Sequence, residues 1–201
     1  MKYPATGNDD FKRAPVGTHV GVCNMIADVG IQPGGMYGPK QKVYFRFELP
    51  NERIEYTKDG KTVEGPITIG TYHTASMNKK ALMRAMLENW RGAKFTDEQA
   101  SDFDIRNVLG KACLINVVED TKDGKTYSNI ANVMPLPKGT PVHQAENPLL
   151  YYGSDDESQF TKLPEWLQKK ILGAVPPPTQ TTVEDKAADS YPDEFGDSVP
   201  F

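Results

Sequence analysis

Tyrosines alternate with lysines and arginines in three separate stretches of this chain. The first is Tyr37, Lys40, Lys42, Tyr44 and Arg46; the second is Arg53, Tyr56, Lys58 and Lys61; the third is Lys122, Lys125 and Tyr127. Flat rings stack on nucleobases, at about 1–3 kcal/mol each, and cations track phosphates, so this combination suits single-stranded nucleic acid without strong sequence preference. Signals for catalysis are missing by contrast. No glycine-rich phosphate loop, Gly-x-Ser-x-Gly or His-Glu-x-x-His occurs. Asp102, Asp104, Glu119 and Asp120 fall in loops or at strand ends and read as solvated charge. No Cys-x-x-Cys is present and the three histidines are far apart, so no metal and no cofactor is expected, and no enzyme. Cys23 and Cys113 sit in apolar runs and read as buried, reduced thiols.

The elements that must carry these side chains follow from periodicity. Residues 16–29 alternate as a long strand, with Gly17 and Gly21 suggesting bends or bulges. A Gly/Pro-rich loop follows over 30–41, containing Tyr37 and Lys40. Lys42 to Leu49 is the clearest strand. Val43, Phe45, Phe47 and Leu49 share a core face; Lys42, Tyr44, Arg46 and Glu48 share the other. Pro50-Asn51 turns the chain, residues 53–58 form a strand, and Asp59-Gly60 marks a hairpin. Gly65-Pro66 interrupts the ladder before a strand through Ile67, Ile69 and Thr71. A helix over 81–90 carries a stripe of Leu82, Met86 and Trp90, with Asn78 or Ser76 as its cap and Gly92 past its end. Thr96 and Gln99 read as a capping box for a second short helix. Residues 110–135 form a hairpin about Asp123-Gly124. One more helix is expected over 164–172, where Trp166, Leu167 and Ile171 either dock on the body or mediate self-association.

Three strands, a helix and a final hairpin are the order of a mainly β, five-stranded oligonucleotide/oligosaccharide-binding (OB) barrel, with its helix between strands three and four. Short strands would also suit a sandwich, but the helix before the last hairpin favours the barrel. In that barrel, the face of strands two and three and the loops between strands one and two and between four and five form one groove. The three tyrosine-cation stretches would meet there. The expected division is a nucleic-acid-binding domain over 14–138, an extension with a short helix and Pro-rich linker over 139–183, and an acidic interaction tail over 184–201.

Charge separates tail from body. The 201 residues carry 23 basic and 27 acidic side chains, net −4. Glu184, Asp185, Asp189, Asp193, Glu194 and Asp197 face only Lys186 in the tail, so the body is close to neutral. An acidic tail poor in core-forming residues is expected to be disordered. Yet it ends on Pro200 and Phe201.

An acidic C-terminus ending Pro-Phe resembles the tip of bacterial and phage single-stranded DNA-binding proteins. The resemblance extends loosely over 14–138, where Gly110 to Val117 is similar to phage-encoded proteins of this kind. It implies that Phe201, with Pro200, Asp193, Glu194 and Asp197, is caught by replication or recombination proteins. Ser198 and Val199 stand where the bacterial tip has an acid and an isoleucine. The function so implied is the coating and protection of single-stranded DNA during phage replication and recombination, in the cytoplasm of an infected bacterium. The rivals are an OB-like structural or protein-interaction module, and a nuclease accessory with a metal site. No apolar run reaches the roughly 20 residues of a membrane span and no secretory signal is seen, so no membrane partner is expected.

Overall fold

A computed structural model describes residues 13–34, 38–58 and 60–175. The expected tail, the Pro-rich linker, Tyr37 and Asp59 lie outside these residues.

The chain is mainly β. Strands β1 (Gly17–Gln32), β2 (Lys40–Lys58), β3 (Lys61–Thr74), β4 (Ala112–Lys122) and β5 (Lys125–Met134) form an antiparallel sheet in the order β3-β2-β1-β4-β5. The sheet curls into a half-barrel, and its two end strands, β3 and β5, face one another across a cleft of about 470 Å³. The chain entering β1 lies in that cleft: Arg13 Nη1 donates to the Thr126 carbonyl, and Ser128 Oγ donates to the Ala14 carbonyl. Helices α1 (Leu82–Arg91) and α2 (Asp97–Ser101) fall between β3 and β4 in the chain, followed by a 3₁₀ turn over Ile105–Val108.

The core inside the curl takes the expected face of β2. Phe45, Phe47 and Leu49 are fully buried against Ile67, Ile69, Ile115, Val117 and the Met83, Met86, Leu87 and Trp90 stripe of α1. Met86 and Trp90 are buried as expected, whereas Leu82 is exposed and Met83 takes its place on the buried face. The thiols of Cys23 and Cys113 are buried, and burial pushes Cys23 up to about 12 and raises Cys113. Both are therefore protonated and unreactive.

Several local expectations change. β2 is one continuous strand of 19 residues. Pro50-Asn51 is a register shift between Leu49 and Arg53, not a turn. Across from it, Pro66 pairs with Arg53 inside β3. An edge strand tolerates proline because one side of its backbone has no ladder to feed. The bulges of β1 fall at Asn24 and after Asp28, not at the glycines 17 and 21. Gly21 is needed for a different reason. A Cβ there would meet Ile115 Cδ1 at 2.3 Å, so it lets β4 come close. The cap of α1 is Ala81, without a side-chain bond; Ser76 and Asn78 brace the preceding turn instead. Thr96 and Gln99 do form the capping box of α2, and Asp123-Gly124 takes the positive φ values of a hairpin turn.

Arg84 ties α1 to α2. It is 6% exposed and donates to Glu88, Asp97 and the carbonyls of Met77 and Phe95. Lys94, Arg84 and the Phe95 N–H together hold the Glu88 carboxyl down to about 2. A depressed carboxyl stabilises the fold above its ordinary range, near 4.5, and loses that contribution as pH falls towards about 2. Glu88→Gln is therefore expected to be less stable than the parent at neutral pH, with the gap narrowing as pH falls from 4 to 2. Thermal melts of both proteins across that range check this.

The segment after residue 138 is part of the same fold. Strand β6 (Leu150–Tyr152) pairs parallel with Met25–Ala27 of β1, on the edge that β4 leaves after Val22. A 3₁₀ turn (Phe160–Lys162) leads into α3 (Glu165–Leu172). Leu150, Leu163 and Leu167 then form a second core with Met25, Ala27, Val29 and Tyr44, on the outer face of β1 and β2. The bulge at Asn24 makes this geometrically feasible. One extra residue reverses the strand's alternation, so Cys23 and Ile26 face the first core while Met25 and Ala27 face the second.

Candidate nucleic-acid interface

The outer face of β2 was expected to be open; much of it is covered. Tyr44 is 7% exposed. Its ring lies over Gly70, where a Cβ would come within 2.1 Å of the tyrosine oxygen, so Gly70 is the seat for this ring. Tyr72 packs against Tyr44 at 4.8 Å between centroids, and Trp166 of α3 meets it edge-on at 5.4 Å. Burial raises the Tyr44 hydroxyl to about 12. The expectation that Tyr44 is an open stacking ring is thus corrected: the extension, which reads as a loose segment in sequence, supplies the lid.

Glu48, four residues on, is fully buried, as is Asn24. Its carboxylate accepts Asn24 Nδ2 at 2.9 Å and the backbone N–H groups of Glu146 and Asn147 at 2.8 Å each. Arg46 Nε donates to Asn24 Oδ1 at 3.0 Å, completing the network. Burial lowers the Arg46 pKa, and neighbouring Tyr44 and Glu48 oppose that shift. Arg46 also lines a cleft of about 300 Å³ with Ile54, Tyr56, Pro66, Ile67, Thr68 and Asn147. Tyr56, 42% exposed, is the open ring of this cleft.

The cleft between β3 and β5 brings in the third stretch. Lys122 and Tyr127 line it with Arg13, Asp120 and residues 68–70 of β3. Lys122 and Lys125 pair at the hairpin tip, and Tyr127 is 49% exposed. Thr68 lines both clefts. The Arg46-Tyr56 group and the Lys122-Tyr127 group therefore meet along β3.

Other residues fall elsewhere. Lys42 is half-buried at the opposite end of the face, its Nζ 3.0 Å from Thr74 Oγ1. Lys40 is exposed where β2 begins, paired through its backbone with Gln32. Arg53 is engaged by the carboxylates of Glu64 and Glu146, which raise its pKa, and so serves the extension. Lys61 is exposed at the far hairpin, opposite Lys58. Asp193, Glu194, Asp197, Pro200 and Phe201 lie outside the described residues.

One exposed ring carries no expectation from sequence, Tyr72, at 40% exposure; Trp166, expected to dock or to mediate self-association, is 50% exposed. The signal for Tyr72 was its parity: on β3 it alternates with Ile67, Ile69 and Thr71, so it must point outward. Arg13 carried no signal, because nothing in sequence shows that the segment before β1 runs along β5. Among the described residues, no group of three or more His, Cys, Asp and Glu side chains is placed to hold a metal ion, and no helix is long and apolar enough to cross a membrane. Asp104 instead caps the 3₁₀ turn and pairs with Arg106, while Glu119 and Asp120 lie on β4 opposite Ser128 and Tyr127. Neither a family model nor a curated protein sequence matches this chain.

Proposed function

We propose that the protein is a single-stranded DNA-binding protein built on an OB-like barrel, with its strand laid along β3. The observation that carries this reading is the meeting at Thr68 of two clefts, one offering Arg46 and Tyr56, the other Arg13, Lys122 and Tyr127. Each holds an exposed ring beside a cation, the pairing that sequence-tolerant single-strand binding requires. Coating exposed strands in phage replication or recombination, inside the infected host, is the role we assign. The tail from Glu184 to Phe201 would recruit partner proteins through Phe201.

Titration of fluorescently labelled poly-dT at increasing salt tests the reading. Micromolar or tighter binding with a steep salt slope is expected; no binding at 20–50 mM salt, roughly the range where phosphate contacts are strongest, ends it. Tyr56→Ala and Tyr127→Ala should each weaken binding by about 1–3 kcal/mol, and Lys122→Ala should lower the salt slope by about one unit. Tyr44→Ala is not a test of stacking, because that ring belongs to the second core. Removing 184–201 should raise affinity at low salt, since the acidic tail competes with phosphates for the same cations; equal affinities with and without it would refute that competition.

A protein-interaction module is favoured by a different feature. A cavity of about 500 Å³ beside α1 and α2 is floored by Leu87, Trp90, Phe95, Phe103 and Val108, with Arg91 and Lys111 on its lining. Absence of poly-dT binding would move the weight to this cavity.

A further inference from the structure

Leu163 and Leu167 already anchor α3, at 3% and 0% exposure. Trp166 adds little to that anchoring, for half of its surface stays in solvent. It stands on the helix face that also carries Lys170, four residues on and therefore its neighbour along the helix. Lys170 Nζ lies 5.1 Å from the centre of the Tyr72 ring. Tyr72 and Trp166 both rest on the buried Tyr44, which fixes their places from beneath. Two rungs along the ladder from the Tyr44–Tyr72 pair, Lys42 is paired with Thr74 and held by its hydroxyl. The nearby exposed pair Glu165–Lys169 is internally compensated, with Nζ to Oε1 at 2.6 Å.

Single exposed apolar residues are ordinary on protein surfaces. Two half-open rings seated on a third, with the Lys170 ammonium over Tyr72 and Lys42 two residues along β2 from Tyr44, make a more specific surface. It has the composition of a stacking platform, and it continues the β3 ridge: Tyr72 is two residues beyond Gly70, which lines the β3–β5 cleft.

We propose that Tyr72 and Trp166 form a further nucleobase-stacking site, with Lys42 and Lys170 as phosphate contacts, so that the C-terminal extension contributes directly to the bound strand. This rests on the single-strand-binding reading and extends its footprint to the end of β3 nearest α3. The ligand is recognised as unpaired base plus phosphate, on rings and cations alone.

The chain has two tryptophans, and the other, Trp90, is 7% exposed in the first core with its indole N–H on the Ala112 carbonyl. Both indoles emit, but quenching by contact with a bound base can reach the exposed Trp166 and not the buried Trp90. The full chain is titrated with a dT oligonucleotide while binding is followed independently by anisotropy of a label on the oligonucleotide. Quenching of tryptophan emission that tracks the anisotropy, and that disappears in Trp166→Phe, is the expected result. Trp166→Ala should lose about tenfold in affinity, and Lys170→Ala should reduce the salt slope, each with an unchanged thermal midpoint. Binding by anisotropy with unaltered tryptophan emission overturns the proposal and leaves the parent reading standing. Equal quenching in Trp166→Phe also overturns it, since the signal then comes from Trp90. No binding in either channel overturns both.

Discussion

Glu48→Ala is expected to be among the most damaging single substitutions in the protein, at about 3–5 kcal/mol. Three donors converge on this carboxylate: the Asn24 amide and the N–H groups of Glu146 and Asn147. Alanine leaves all three without an acceptor in a site with 0% exposure and opens a void the size of a carboxylate. It also removes the negative charge that offsets half-buried Arg46. For a chain of this length the thermal midpoint should fall by about 10 °C or more. Glu48→Gln keeps the volume and should still lose stability, because its amide turns two hydrogens towards groups that are themselves donors. A midpoint for Glu48→Gln equal to that of the parent would show that shape, not charge and acceptor capacity, holds this network.

Leu167→Ala should cost about 2–5 kcal/mol, the range for a fully buried leucine, and its effect should be local first. Leu167 is the only residue of α3 that is buried. Tyr44, Leu150, Leu163 and Val29 close around it. With that side chain gone, the helix should separate from the sheet before the sheet itself melts. The melt of Leu167→Ala followed by tryptophan emission should then precede the melt followed by far-ultraviolet circular dichroism. Coincident transitions would mean that the two cores unfold as one unit, as two-state domains do.

Much of the curled sheet was legible in sequence because its signals are local. Phe45 and Phe47 alternate with polar residues, Asp123-Gly124 can hardly be anything but a hairpin turn, and Thr96 with Gln99 announces a helix start. Each depends on residues a few positions apart. The second core was not legible. Lys42, Tyr44, Arg46 and Glu48 form a polar set with one ring, and a polar set in a strand reads as a wetted face. What makes Glu48 an interior residue is a pair of backbone N–H groups 98 and 99 positions away, and backbone groups leave no mark on composition. The partner segment was equally silent: residues 139–163 have too short a strand and too little periodicity to identify themselves. The grouping of the tyrosine-cation stretches fared differently. Tyr56, Arg46, Lys122 and Tyr127 line two clefts that share Thr68 of β3, Arg53 and Tyr44 are committed to holding the extension, Tyr72 lies further along β3, and Arg13 enters the β3–β5 cleft from the β5 side.

The strand that two cores share also sets a schedule for synthesis. β1 and β2 emerge from the ribosome before the extension, so Met25, Ala27, Val29 and Tyr44 have no cover until Leu150, Leu163 and Leu167 have been made. For about a hundred residues of translation, several seconds at ordinary elongation rates, the nascent protein presents an apolar strip and a buried-to-be carboxylate with only part of its partners. A stop near residue 138 would make that exposure permanent. Such a fragment should need chaperone protection and collect in the insoluble fraction, whereas one ending after Val175 should stay in solution.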